Sequence, residues 1–127
     1  MEKLLRVLIV EDEAVIGLLL KETIQSLGHT VCGIANTEAD AVAQADSFQP
    51  DLMIVDAGLR IGSGVSAIET IEQKQHVPHI FVTGNARKVQ ALRPGAIILE
   101  KPFFTPDLAT AIERALAVAA GRIGAAQ

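Results

Sequence analysis

Leu4-Leu5-Arg6-Val7-Leu8-Ile9-Val10-Glu11-Asp12-Glu13 is the stretch that decides the fold class. Its first seven residues are apolar except for Arg6, without the alternation of a strand that keeps one face in water. Such a strand is buried on both faces, which is the habit of parallel sheets covered by helices. The run stops at three consecutive acids, so its carboxyl end surfaces in a charged patch. Leu52 to Val55 repeats the pattern and is closed by Asp56. Thr30 to Ala35, His79 to Thr83 and Ala96 to Leu99 read as further strands.

The segments between them have helical spacing. Residues 14–27 align Ile16, Leu20, Ile24 and Leu27 on one stripe, and Gly28 supplies the stop. Thr37 followed by Asp40 predicts a cap and an acidic first turn for an Ala-rich helix to about Ser47. Gly58 to Gly64 is a glycine-rich loop, with Gly62-Ser63-Gly64 a flexible lead into a third helix carrying Val65, Ile68 and Ile71. A short polar helix is expected from about Ala86 to Leu92. Thr105-Pro106-Asp107 predicts a helix start, with Thr105 as cap and Pro106 at the first helical position, running to about Ala120. Strands alternating with helices mean right-handed crossovers between parallel strands. The expectation is an α/β domain, a doubly wound five-stranded parallel sheet with helices on both faces, over residues 1–121, with a short frayed tail at 122–127.

Composition narrows the function. The chain has 127 residues, half of them hydrophobic and a fifth charged, enough for one domain with a core. No apolar run reaches the roughly 18–20 residues of a membrane-spanning helix, and no secretory signal opens the chain. Cys32 is the only cysteine, which excludes an internal disulfide or zinc cluster and suggests a reducing cytoplasm. A net charge of −4 and only four aromatics, all Phe, argue against direct nucleic-acid binding.

Ligands of doubly wound sheets bind beyond the carboxyl ends of the strands. There the sequence puts Glu11 and Asp12, Asp56, Thr83 and Lys101. Clustered acids repel unless a cation compensates them. Lys101 is one such cation, and an oxygen-only donor set suits Mg²⁺ as another. The combination suggests phosphoryl transfer to a carboxylate. Asp56 would be the nucleophile, already ionised at neutral pH, with Lys101 and the Thr83 hydroxyl on the phosphoryl oxygens.

Four segments carry a resemblance: Val7–Glu13 (VLIVEDE), Gln49–Asp56 (QPDLMIVD), Pro78–Gly84 (PHIFVTG) and Leu99–Phe103 (LEKPF). Over almost its full length the chain resembles a receiver domain of a two-component response regulator. The resemblance implies the flavodoxin-like strand order 2-1-3-4-5 and a phosphoryl group accepted on Asp56 from a sensor histidine kinase or phosphotransfer protein. It implies Mg²⁺ held by Glu11, Asp12, Asp56 and the carbonyl of Gly58, phosphoryl contacts from Thr83 and Lys101, and a cis Lys101–Pro102 peptide. Ile98 stands three residues before the lysine, where family members carry Tyr or Phe, so no aromatic switch operates there. The switch is left to Thr83 and the short segment after it, with Ile98 as passive packing. That short segment and Phe81-Val82-Thr83-Gly84 resemble an atypical alphaproteobacterial subgroup named for a Phe-Ala-Thr-Gly motif, although Ala86 stands where that subgroup has Tyr.

The expected role is a stand-alone phosphoacceptor in a phosphorelay, a monomer or weak dimer that changes its binding surface for a downstream protein. It is not expected to be an enzyme beyond self-phosphorylation and slow self-dephosphorylation. Three other readings remain beside it. A non-phosphorylated pseudo-receiver would have no use for the intact acid, threonine and lysine set. A small phosphohydrolase would want a second carboxylate where Gly58 stands. A flavin or nucleotide binder would not put Glu11-Asp12-Glu13 where phosphate approaches. The remaining features read as structural: the three histidines lack metal-ligand spacing, Cys32 suits a buried strand position, and Arg87, Lys88 and Arg93 read as a solvated face.

Overall fold

The structure, a computed structural model, describes residues 4–121. The expected tail at 122–127 lies outside the described residues. In chain order the elements are β1 (Arg6–Val10), α1 (Ala14–Ser26), β2 (Thr30–Ala35), α2 (Glu38–Phe48) and β3 (Leu52–Asp56). There follow α3 (Gly64–Glu72), β4 (His79–Thr83), α4 (Ala86–Leu92), β5 (Ile98–Glu100) and α5 (Thr105–Ala119). All pairings are parallel, in the order β2-β1-β3-β4-β5. The doubly wound flavodoxin-like expectation is therefore met.

The unbroken apolar runs are explained by a core on each side of the sheet. Val7, Ile9, Ile54 and Val82 face Leu20 and Ile24 of α1 and Leu108 and Ile112 of α5. Leu8, Val10, Met53, Val55 and Phe81 face Ala41 and Ala45 of α2, Ile68 of α3 and Val89 of α4. Each fully buried aliphatic side chain here contributes about 1.5–3 kcal/mol. Gly28, at φ +93°, closes α1 with its N–H on the Gln25 carbonyl (3.0 Å) and the His29 N–H on Ile24 (3.2 Å). The Thr37 hydroxyl caps α2 by accepting the Asp40 N–H at 3.0 Å.

Four local expectations are corrected. β5 spans Ile98–Glu100, not Ala96–Leu99, because the Ala96 N–H is spent in a turn on the Arg93 carbonyl at 3.1 Å. Helix α5 begins at Thr105 itself: Phe104 is the capping position, and its N–H is taken by the Asp107 carboxylate at 2.8 Å rather than a Thr105 hydroxyl closing the end. Cys32 is half-buried, its thiol 3.5 Å from the Val7 carbonyl where the β1–β2 register shifts. Arg93 is no free solvated cation; it pairs with Glu72 at 2.8 Å and ties the end of α4 to the end of α3.

That ion pair lies near His79, whose Nδ1 is 2.9 Å from the Val77 carbonyl and whose ring meets Phe81 edge-on. Burial holds the imidazole pKa below its usual 6.5, and Arg93 and His76 add to this against Val77 and Glu72. The unfolded chain therefore binds the proton more readily, and the neutral ring stabilises the fold above pH 6.5. That contribution falls away as pH drops through 6.5 toward the lower folded value. Denaturant midpoints measured from pH 7.5 to 5 are expected to fall less steeply in His79→Gln than in the parent. Identical slopes would mean the imidazole does not titrate in this way.

Candidate functional site

The carboxyl ends of β1, β3, β4 and β5 meet at one rim. Glu11 follows β1, its N–H still in the ladder on the Ala35 carbonyl at 2.9 Å, and its side chain is turned inward to 1% exposure. One carboxylate oxygen, Oε2, accepts the Glu13 N–H at 3.2 Å. The other, Oε1, is buried without a hydrogen-bond partner, 4.0 Å from the Lys101 ammonium. Burial first, and then the neighbouring Asp56, push the Glu11 pKa up to about 7, while the Glu13 amide and Lys101 restrain it. Unlike His79, Glu11 with its raised pKa favours the fold more as pH falls from about 7, and most fully below 4.5. Comparing His79→Gln with its parent cancels that opposing contribution.

Asp12 is better solvated. Its Oδ2 accepts the backbone N–H of Arg60 at 2.7 Å, with the Arg60 guanidinium 3.9 Å away, and the amide bond is the main reason its pKa is held below the usual carboxylate value. Asp56 ends β3, the central strand, and is buried. Its Oδ1 accepts the Gly58 N–H at 2.9 Å and its Oδ2 accepts from Lys101 Nζ at 3.2 Å. One oxygen each from Glu11, Asp12 and Asp56 lie within 4.8 Å of one another.

Thr83 closes β4, buried, with its Oγ1 accepting the Asn85 N–H at 2.9 Å. The Lys101 N–H bonds the Thr83 carbonyl at 2.8 Å, so one ladder rung fixes the ammonium-bearing residue beside the hydroxyl-bearing one. The Lys101–Pro102 peptide is cis. Ile98 lies half-buried against the α2–α4 core, and Gly58 is exposed in the loop.

The structure thus gathers Glu11, Asp12 and Asp56 into one cluster, brings Lys101 against Glu11 and Asp56, and sets Thr83 beside the lysine through the backbone. The acids suit a hard divalent cation: all donors are oxygen, and the unpartnered Glu11 Oε1 has unused acceptor capacity beside the Asp56 carboxylate. Two participants escaped sequence reasoning. Arg60 and Glu38 make bonds that hold the loop between β3 and α3, which the sequence marks only as glycine-rich.

A family model for the response regulator receiver domain matches residues 7–113. This chain belongs to that family. The receiver is similar to PhyR of Methylorubrum extorquens, 35% identical over 114 residues that cover 87% of this chain and 43% of that protein. It is also similar to PdtaR of Mycobacterium tuberculosis, 36% identical over 115 residues covering 87% of this chain and 56% of that protein. It therefore spans about half the length of these relatives. Against the solution structure of the Erythrobacter litoralis PhyR receiver domain it has a TM-score of 0.80 at 34% identity, covering 89% of this chain and 90% of the other. Response regulator receivers belong to two-component signalling, and among the described residues no helix is long and apolar enough to cross a membrane.

Proposed function

We propose that this receiver accepts a phosphoryl group on Asp56 from a sensor histidine kinase or phosphotransfer protein, and reports it by a change of binding surface. The observation that carries the reading is the Lys101 ammonium, 3.2 Å from Asp56 Oδ2 and shared with the buried, half-unpartnered Glu11.

An Asp56 carboxylate oxygen forms the new bond to phosphorus, and the bond from phosphorus to the donor's imidazole nitrogen breaks. The electron pair leaves with that nitrogen. Asp56 needs no base, because the carboxylate is the reactive form. Lys101 Nζ follows the charge as it spreads onto the phosphoryl oxygens, and Glu11 and Asp12 complete the acidic wall. Those two acids, Asp56 and the Gly58 carbonyl would hold Mg²⁺, which when bound neutralises the charge that otherwise keeps phosphate and carboxylates apart. Thr83 Oγ1 accepts from Asn85 but keeps its own O–H to donate. Turning that hydroxyl toward a phosphoryl oxygen biases the β4–α4 segment between two arrangements, with Ile98 packing passively behind it. Gly58 offers no side chain to activate water, so loss of the phosphoryl group is slow and a phosphohydrolase reading lacks its acid and base.

Intact-mass measurement after incubation with acetyl phosphate tests this. One phosphoryl group per chain is expected with Mg²⁺ present, and essentially none with a chelator. A chain that stays unmodified in both conditions is a binding module only.

A further inference from the structure

The loop at 57–63, between β3 and α3, gives three of its backbone amides to carboxylates. The Gly58 N–H goes to Asp56, the Arg60 N–H to Asp12 at 2.7 Å, and the Ser63 N–H to Glu38 Oε1 at 2.8 Å. Asp56 and Asp12 belong to the candidate site. Glu38 does not: it is the first residue of α2, on the far side of the loop, and it is outside the acidic cluster.

Glu38 grips the loop twice. Besides the Ser63 bond, its own N–H donates to the Ile61 carbonyl at 3.3 Å. Gly62 lies between, at φ +82°, and a Cβ there would collide with the Glu38 side chain and lie 2.8 Å from its Oε1. A residue without a side chain, in a conformation that suits glycine, is what lets the carboxylate lie flat against the loop. Near its start the loop is anchored by Ala57 and Leu59 against the core, but Arg60, Ile61 and Gly62 are exposed, Ile61 to 70%.

We propose that Glu38 is a positioning residue for the metal and phosphoryl site, acting through the loop by fixing the Ser63 amide so that the Arg60 amide and Gly58 stay in place against Asp12 and Asp56. This rests on the phosphoacceptor reading. A partner outside the donor set that orients the donors typically changes metal affinity by about 10- to 100-fold. A single half-buried loop bond belongs at the low end of that range.

The role requires reach and not charge, and two variants separate these. Glu38→Gln keeps an oxygen at the same reach, whereas Glu38→Asp keeps the charge at the helix start but is one methylene too short for Ser63. Mg²⁺ titrated into the full chain by calorimetry is expected to bind Glu38→Asp about tenfold more weakly than the parent. Glu38→Gln should stay within about twofold. Amide hydrogen exchange at Ser63 and Arg60 in the metal-free chain should accelerate in Glu38→Asp and not in Glu38→Gln. Equal affinity and exchange in Glu38→Asp and parent would overturn the proposal. So would equal impairment in both variants, which would make the residue an electrostatic one. If the parent bound no Mg²⁺, the phosphoacceptor reading would fall, while the exchange rates would still decide whether Glu38 holds the loop.

Discussion

Asp56→Asn should take up no phosphoryl group from acetyl phosphate and should keep the parent fold. The substitution changes little in shape: an amide oxygen can still accept the Gly58 N–H that Asp56 Oδ1 accepts at 2.9 Å. What it removes is the anionic oxygen that would attack phosphorus in the proposed transfer, and a neutral amide is not a nucleophile of that kind. Lys101 loses its 3.2 Å partner, but with its side chain 34% exposed it is not stranded in the interior. The like charge that helps raise the Glu11 pKa also goes. The expected loss of labelling is on the order of a thousandfold or more, with circular dichroism unchanged. Stoichiometric labelling of the variant would remove Asp56 from the mechanism.

Gly64→Ala should be the most damaging small substitution in the loop. Gly64 opens α3 directly beneath the end of β3, and its N–H returns to the Ala57 carbonyl at 3.2 Å. A Cβ at this position would overlap the Asp56 carbonyl oxygen and lie 2.7 Å from Val55 Cγ1 and 2.9 Å from the Asp56 carbonyl carbon. Those atoms belong to the central strand, fully buried and paired on both sides, and cannot yield. The first turn of α3 must lift instead, at a cost of about 3 kcal/mol or more. Gly84→Ala is the control, since nothing lies within 4 Å of a Cβ there, and it should change stability by less than about 0.5 kcal/mol. Matching denaturant midpoints for the two variants would show that the α3 start is more pliable than its packing implies.

The sheet was legible because β1 and β3 are buried on both faces, and a continuous apolar run has few other homes. The acids were placed from the same runs: Glu11 and Asp56 each follow or end a strand buried on both faces, and they point to a site only when taken together with Asp12, Thr83 and Lys101 at the same rim. β5 was misplaced because it is an edge strand of three residues: the Ala96 N–H is held in the turn from Arg93, and Ile97 joins the sheet through its carbonyl, which accepts the Phe81 N–H at 2.9 Å. The α5 start was misjudged by one residue because Asp107 reaches back along the chain, which competes on equal terms with a hydroxyl cap. Arg60 and Glu38 were invisible for a deeper reason. Their partners Asp12 and Ser63 lie 48 and 25 residues away, and the bonds involve backbone amides, which every residue but proline carries.

One rung of the ladder fixes when Asp56 meets its ammonium partner. Asp56 is near the middle of the chain, whereas Lys101 is held by the Thr83 carbonyl only after β5 has docked on β4. On the ribosome, the aspartate is made long before its ammonium partner. On the proposed phosphoacceptor reading, a nascent chain therefore carries Asp56 without its ammonium partner until the outermost strand has docked.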